Sequence, residues 1–229
     1  MTENKFVRAF IRFIGLFAFV LISACDAADR LPSSPGALVG TRAFIKMHGQ
    51  DVIAEVTGIE DKLVTTEFRD WRGGLIREVS LYRGLFPVGG VDQGLRYETT
   101  IDDSVLEDIF PLKVGKTTGV KGTMFYVEGG QSADFWTHIE VVGEKTIDLK
   151  GGPQRTLVIE MDWEFEWNGV KRRKKDTIYF DPERSMVLKS VVRAENYQNY
   201  WVVFSVEEPE RPDAPASRQQ QRRSGTVMI

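Results

Sequence analysis

From Ile159 to Trp167 apolar and acidic side chains alternate without a slip. Ile159, Met161, Trp163, Phe165 and Trp167 fall on one face, and Glu160, Asp162, Glu164 and Glu166 on the other. Asn168-Gly169 follows at once. That dipeptide supplies the two positive-φ residues of a type I′ turn, so a partner strand is expected to begin at Val170. A two-residue loop sets Trp167 opposite Val170, Glu166 opposite Lys171, Glu164 opposite Arg173 and Asp162 opposite Lys175. A three-residue loop sets Glu166 opposite Arg172 and Glu164 opposite Lys174 instead. In both registers acid faces base, each pair contributing roughly 0.2–1 kcal/mol.

The same period of two, carried by β-branched and aromatic residues, recurs between Gly, Asp, Asn and Pro along the middle of the chain. It predicts strands over 41–48, 52–57, 62–69, 75–82, 94–100 and 122–128. Further strands are predicted over 135–142, 146–149, 155–167, 170–180, 187–193 and 197–206. One helical turn is expected over 102–109, capped by Asp102 or Asp103, carrying Val105, Leu106 and Ile109, and stopped by Pro111; it is placed to plug one end of a curved sheet. The fold class is therefore all-β: a single strongly curved antiparallel meander or open barrel of about 10–12 strands with one short helix. Gly73-Gly74, Gly89-Gly90, Gly129-Gly130 and Gly151-Gly152 all fall between predicted strands and read as turns.

The ends of the chain break this pattern. Lys5, Arg8 and Arg12 precede an unbroken apolar run from Phe13 to Ile22, then Ser23, Ala24 and Cys25. A run of ten residues is too short to span a bilayer, which takes roughly 20, and has the layout of a secretory signal. Four regions follow: a signal over 1–24, a Pro/Ser/Ala/Gly-rich tether over 25–39, a β-rich domain over 40–206, and a polar tail over 207–229 expected to be disordered.

Ile22-Ser23-Ala24-Cys25 resembles the lipobox of bacterial lipoproteins. The resemblance implies cleavage before Cys25, diacylglycerol on its thiol, and a domain facing the periplasm on a bacterial membrane. In some Gram-negative lineages an Asp after the cysteine resembles an inner-membrane retention signal, which Asp26 supplies. Cys25 is also the sole cysteine, so no intrachain disulfide is available and core burial must hold the domain. The whole chain carries 30 basic and 33 acidic side chains; cleavage leaves 27 and 32, a net charge of −5, with nothing to attract nucleic acid.

Two further stretches carry a looser likeness. Phe110-Pro111-Leu112-Lys113-Val114-Gly115 and Tyr179-Phe180-Asp181-Pro182, within about residues 108–193, resemble uncharacterised periplasmic β-domains with a Pro-Leu-x-x-Gly start and a Tyr-x-Asp-Pro turn. Such domains, and lipoprotein carriers with an unclosed barrel, imply a curved sheet whose concave side takes an apolar ligand.

Candidate chemistry is sparse. Asp162 and Glu164 lie about 7 Å apart along one face, a spacing glycosidases use, yet neighbouring cations would keep both ionised, so a salt-bridged outer face is the expectation. His138 and Glu140 share a strand face but no further metal ligand has the right spacing. No nucleophile motif, cofactor loop or metal set is present, and neither catalysis nor a cofactor is expected. The function expected is a lipid-anchored envelope protein, non-catalytic, binding a protein partner or a hydrophobic ligand. A scaffold without a ligand, or a hydrolase of envelope glycans or lipids, is the alternative. Among Trp71, Trp136, Trp163, Trp167 and Trp201, the aromatics assigned to a ligand face are Trp136, Trp163 and Trp167.

Overall fold

The computed structural model describes residues 35–92 and 94–210. Six strands come first: β1 (Arg42–Met47), β2 (Gln50–Glu60), β3 (Leu63–Asp70), β4 (Leu75–Tyr82), β5 (Phe86–Asp92) and β6 (Leu95–Ile101). A short helix, α1 (Asp103–Glu107), leads to β7 (Thr117–Tyr126), β8 (Gln131–Leu149) and β9 (Gly152–Trp167). The last three are β10 (Val170–Asp181), β11 (Met186–Ala194) and β12 (Tyr197–Glu207). Each strand runs antiparallel to its neighbours in sequence, and β1 pairs with β12 from Arg42–Glu207 to Met47–Trp201, so the meander closes into a twelve-stranded barrel.

Closure needs curvature, and β-bulges supply it at Phe44/Ile45, Val56/Gly58, Phe68/Arg69, Ser80/Leu81, Val141/Gly143 and Tyr179/Phe180. The β9–β10 hairpin takes the register of the two-residue loop: Trp167 pairs with Val170, Glu166 with Lys171, Glu164 with Arg173 and Asp162 with Lys175. Asn168 and Gly169 both have positive φ, as the turn requires. Its acidic face lies on the outer wall, where Lys171 and Arg173 clasp Glu164 at 2.9 and 2.7 Å and Lys175 bridges Glu160 at 2.7 Å. On β9 the apolar side chains point inward and the acids outward, the inverse of a barrel that spans a bilayer, whereas Lys174 and Asp176 of β10 share the inward face.

Two elements differ from the sequence expectation. Residues 135–142 and 146–149 belong to one strand, β8, because Gly143 marks a bulge and not a turn. Residues 86–92 form β5, where Gly89-Gly90 had pointed to a turn. Gly90 is needed there: a Cβ on it would sit 2.2 Å from the Glu78 carbonyl oxygen across β4.

Two apolar clusters fill the barrel. One gathers Phe86, Phe135, Ile139, Ile159, Met161, Trp163 and Phe180; the other gathers Ile45, Val52, Val56, Val64, Leu188 and Val203. Leu106 of α1 and Ile109 just beyond it are buried in the first cluster. The Asp102 side chain accepts the Ser104 backbone N–H and caps the helix. The segment before β1 is held too: Ala37 is buried, and the Gly36 N–H donates to Ser185 Oγ at 2.8 Å. Packing therefore begins ahead of Gly40, within the part of 25–39 that is described. The signal region, Cys25 and residues 211–229 lie outside the described residues.

The up-and-down order puts the hairpins β1–β2, β3–β4, β5–β6, β7–β8, β9–β10 and β11–β12 at one end of the barrel. The helix α1 and the turns β4–β5 and β10–β11 cover the other. At this closed end Glu107 takes the Arg83 guanidinium at 2.8 and 3.2 Å, Lys62 Nζ at 3.2 Å, and the Tyr82 hydroxyl. Burial pushes the Glu107 pKa up, but these bonds from Arg83, Tyr82 and Lys62 outweigh it and hold the value at about 2. A carboxyl depressed on folding stabilises fully above its ordinary pKa of 4.5, and that contribution fades as pH falls towards 2. Glu107→Gln should thus be less stable than wild type by about 2 kcal/mol at neutral pH, since it removes a carboxylate that pairs with the buried Arg83. In urea melts the gap should narrow between pH 4.5 and 2.

Candidate functional site

Between the two apolar clusters the barrel keeps an internal cavity of about 200 Å³. Small side chains leave this room: Ala43 on β1 and Ala54 on β2 face Met161 and Trp163 across it. Its deep end, towards α1, is apolar, lined by Val56, Val79, Leu81, Leu85 and Met186. Its other end is polar.

Five inward positions form that polar end: Arg77 on β4, Trp163 on β9, Lys174 and Asp176 on β10, and Asn199 on β12. Each lies on the same strand face as apolar lining, Arg77 with Val79 and Leu81, Asp176 with Ile178. Lys174 Nζ pairs with Asp176 Oδ2 at 2.9 Å and lies 4.8 Å over the Trp163 ring. Four buried atoms of the cluster have no protein partner: the donors Arg77 Nε and Trp163 Nε1, and the acceptors Asp176 Oδ1 and Asn199 Oδ1. An unmet buried polar group costs about 1–3 kcal/mol, so four of them around one cavity mark a place built for polar company.

A second recess of about 420 Å³ lies at the hairpin end. It shares Arg77, Pro87, Trp163 and Lys174 with the inner cavity, so these four side chains form the partition between them. Tyr97 and Tyr126 line its wall. Burial raises the Tyr126 pKa, with Tyr97 and Asp92 adding to the shift. Around the rim the hairpins expose apolar side chains, among them Trp71, Leu95, Val170 and Tyr197.

The three aromatics assigned to a ligand face are thus divided by the wall. Trp163 is 4% exposed and stacks on Phe86 at 5.3 Å inside the barrel. Trp167 points inward near the hairpin end, 5.4 Å from the Tyr126 ring. Trp136 lies on the outer face, 42% exposed and stacked on His138 at 6.3 Å. Trp201 lines the inner cavity, and Trp71, 70% exposed, stands on the rim under the Arg72 guanidinium at 4.7 Å. The sequence reading missed Arg77, Asp176 and Asn199. A charge or amide falling in phase with the apolar side of a strand was the available signal.

The other candidates lead away from the lumen. Asp162 and Glu164 sit on the outer wall, and hydrogen bonds from Lys171 and Arg173 hold the Glu164 carboxyl below its ordinary pKa, opposite to what a general acid needs. Among the described residues no three side chains of metal-ligating type come together.

No family model matches the sequence. No curated protein matches it either. Among solved structures the chain resembles the hypothetical lipoprotein YmcC from Escherichia coli, with a TM-score of 0.50 at 14% identity over 92% of this chain and 100% of that one. A Bacteroides fragilis protein with a YmcC-like fold, inferred to be exported, aligns at a TM-score of 0.47 and 10% identity over 76% of this chain and 98% of its own. A Parabacteroides distasonis protein inferred to be a lipoprotein aligns at 0.46 and 9% over 76% and 97%. At 14% identity the likeness to YmcC speaks to the fold alone.

The Lys174–Asp176 pair provides a test of the polar end. Lys174→Met leaves Asp176, 7% exposed, without its cation, and should cost about 2 kcal/mol in urea unfolding. Lys174→Met combined with Asp176→Leu should recover most of that loss.

Proposed function

We propose that this chain is an exported lipoprotein, anchored through lipid on Cys25, whose barrel holds a small amphipathic molecule at the envelope without transforming it. The observation that carries the reading is the enclosed lumen with its apolar depth and four unpartnered polar atoms at the entrance. The lipobox at Ile22–Cys25 and the fold shared with a hypothetical lipoprotein support the anchor.

Size favours a ligand over a pure scaffold. Apolar cavities of about 150 Å³ already admit a benzene-sized guest. The inner cavity is below the range of about 300–1,000 Å³ typical of pockets for drug-sized ligands, so the guest it suits is slender, and the partition side chains lie between it and the recess of about 420 Å³. A protein partner meeting the exposed rim is compatible with the same arrangement, as the source or the recipient of the ligand. The periplasm is the proposed compartment, with Asp26 pointing to the inner membrane.

Two measurements check the two halves. Intact-mass analysis of the membrane fraction should give a chain starting at Cys25 with a diacylglyceryl addition that Cys25→Ala abolishes. Native mass spectrometry of the Cys25→Ala chain, released gently from cells, should show a fraction carrying a small organic molecule. A chain that is lipidated but always empty would leave the anchor standing and remove the ligand.

A further inference from the structure

We infer that the head group of this ligand is an oxyanion gripped by Arg77, with its apolar part directed towards α1. The inference rests on the lumen being a ligand site. It adds the chemical class: a single-chain amphiphile with a carboxylate or phosphate head and a hydroxyl beside it.

The charge layout of the partition leads there. Lys174 already has a partner in Asp176, and its ammonium also lies over the Trp163 and Phe165 rings at 4.8 and 5.8 Å. Arg77 forms no ion pair among the described residues, and its Nε is buried. Its cross-strand partner on β5, Asp92, is exposed at the outer edge of the recess and does not pair with it. Its partner on β3 is Phe68, which is apolar. A guanidinium is not discharged at any physiological pH, so a part-buried one without a carboxylate calls for an anion from elsewhere.

The remaining atoms sort themselves by type. Arg77 Nε and Trp163 Nε1 are donors that an oxyanion satisfies together. Asp176 Oδ1 is an acceptor that a hydroxyl beside the head group satisfies, and Asn199 Oδ1 is a second acceptor at the same end of the cavity. Beyond them the walls turn apolar, at Val56, Val79, Leu81 and Met186, and suit a hydrocarbon tail. A ligand lying the other way would bury its charge among these side chains and leave all four polar atoms unmet.

The test compares three probes of equal chain length on the full Cys25→Ala chain by calorimetry: dodecanoic acid, its β-hydroxy analogue and dodecanol. The acid is expected to bind about tenfold or more tightly than the alcohol, the hydroxy acid at least as tightly as the acid. Arg77→Met should erase the preference for acid over alcohol, and Arg77→Lys should restore part of it. Equal binding of acid and alcohol, or a preference that survives Arg77→Met, overturns the oxyanion inference and leaves the lumen as a site for neutral ligands. If no probe binds to a chain whose circular dichroism shows it folded, the lumen reading itself fails. Should Arg77→Met not fold, the wild-type order of the three probes still decides.

Discussion

Everything in this domain hangs on the pairing of β1 with β12. A meander of twelve strands that failed to join would leave two rows of unpaired backbone N–H and C=O groups and a groove open along its length. Joining them removes both edges and encloses the lumen. It also fixes which side chains face inward, because the period of two runs continuously around the wall. Curvature comes from six bulges and from close approaches such as Gly90 against Glu78, so the backbone, more than any large side chain, sets the circumference.

Given that circumference, the two ends are treated differently. At the closed end a short helix would have little hold by itself, since five residues supply barely one turn. It is fastened by Leu106 and Ile109 in the core and by Glu107 amid Arg83, Lys62 and Tyr82. Gly84 in the adjoining turn lies so near the Ser185 carbonyl oxygen that a Cβ would be 1.8 Å from it. At the opposite end, formed by the hairpins, the inward face of the wall changes from apolar to polar at Arg77, Lys174, Asp176 and Asn199.

Much of the architecture was legible in the sequence because it is written in local alternation. The β9–β10 register followed from Asn168-Gly169, the outward charge ladder from the counting of residues, and the plug from Asp102 and the apolar positions after it. Two kinds of feature were not legible. Gly89-Gly90 lies within a strand whose neighbouring backbone approaches Gly90 too closely for a Cβ, which no window of sequence around it reveals. Closure, likewise, is a contact between residues 42–47 and 201–207, set by the sum of many small bends. The site suffered most, since Arg77, Trp163, Asp176 and Asn199 come from four strands and converge only when the sheet has curled through a full turn. Aromaticity drew attention to Trp136, whereas its position in the alternation, one residue out of phase with Phe135 and Thr137, sends it to the outer wall.

The route by which the chain enters the barrel carries a consequence for orientation. Strand β1 starts, and β12 ends, beside the β10–β11 turn, where Gly36 is held by Ser185 and Glu208 meets Arg184 at 2.6 Å. Anything joined ahead of Pro35 therefore pulls on the plugged base of the barrel. Nine residues lie between Cys25 and Pro35, ten Cα steps that reach at most about 35 Å. In the lipid-anchored form proposed above, the tether would therefore leave from the plugged base, and the polar mouth of the lumen is at the end of the barrel farthest from that point of departure.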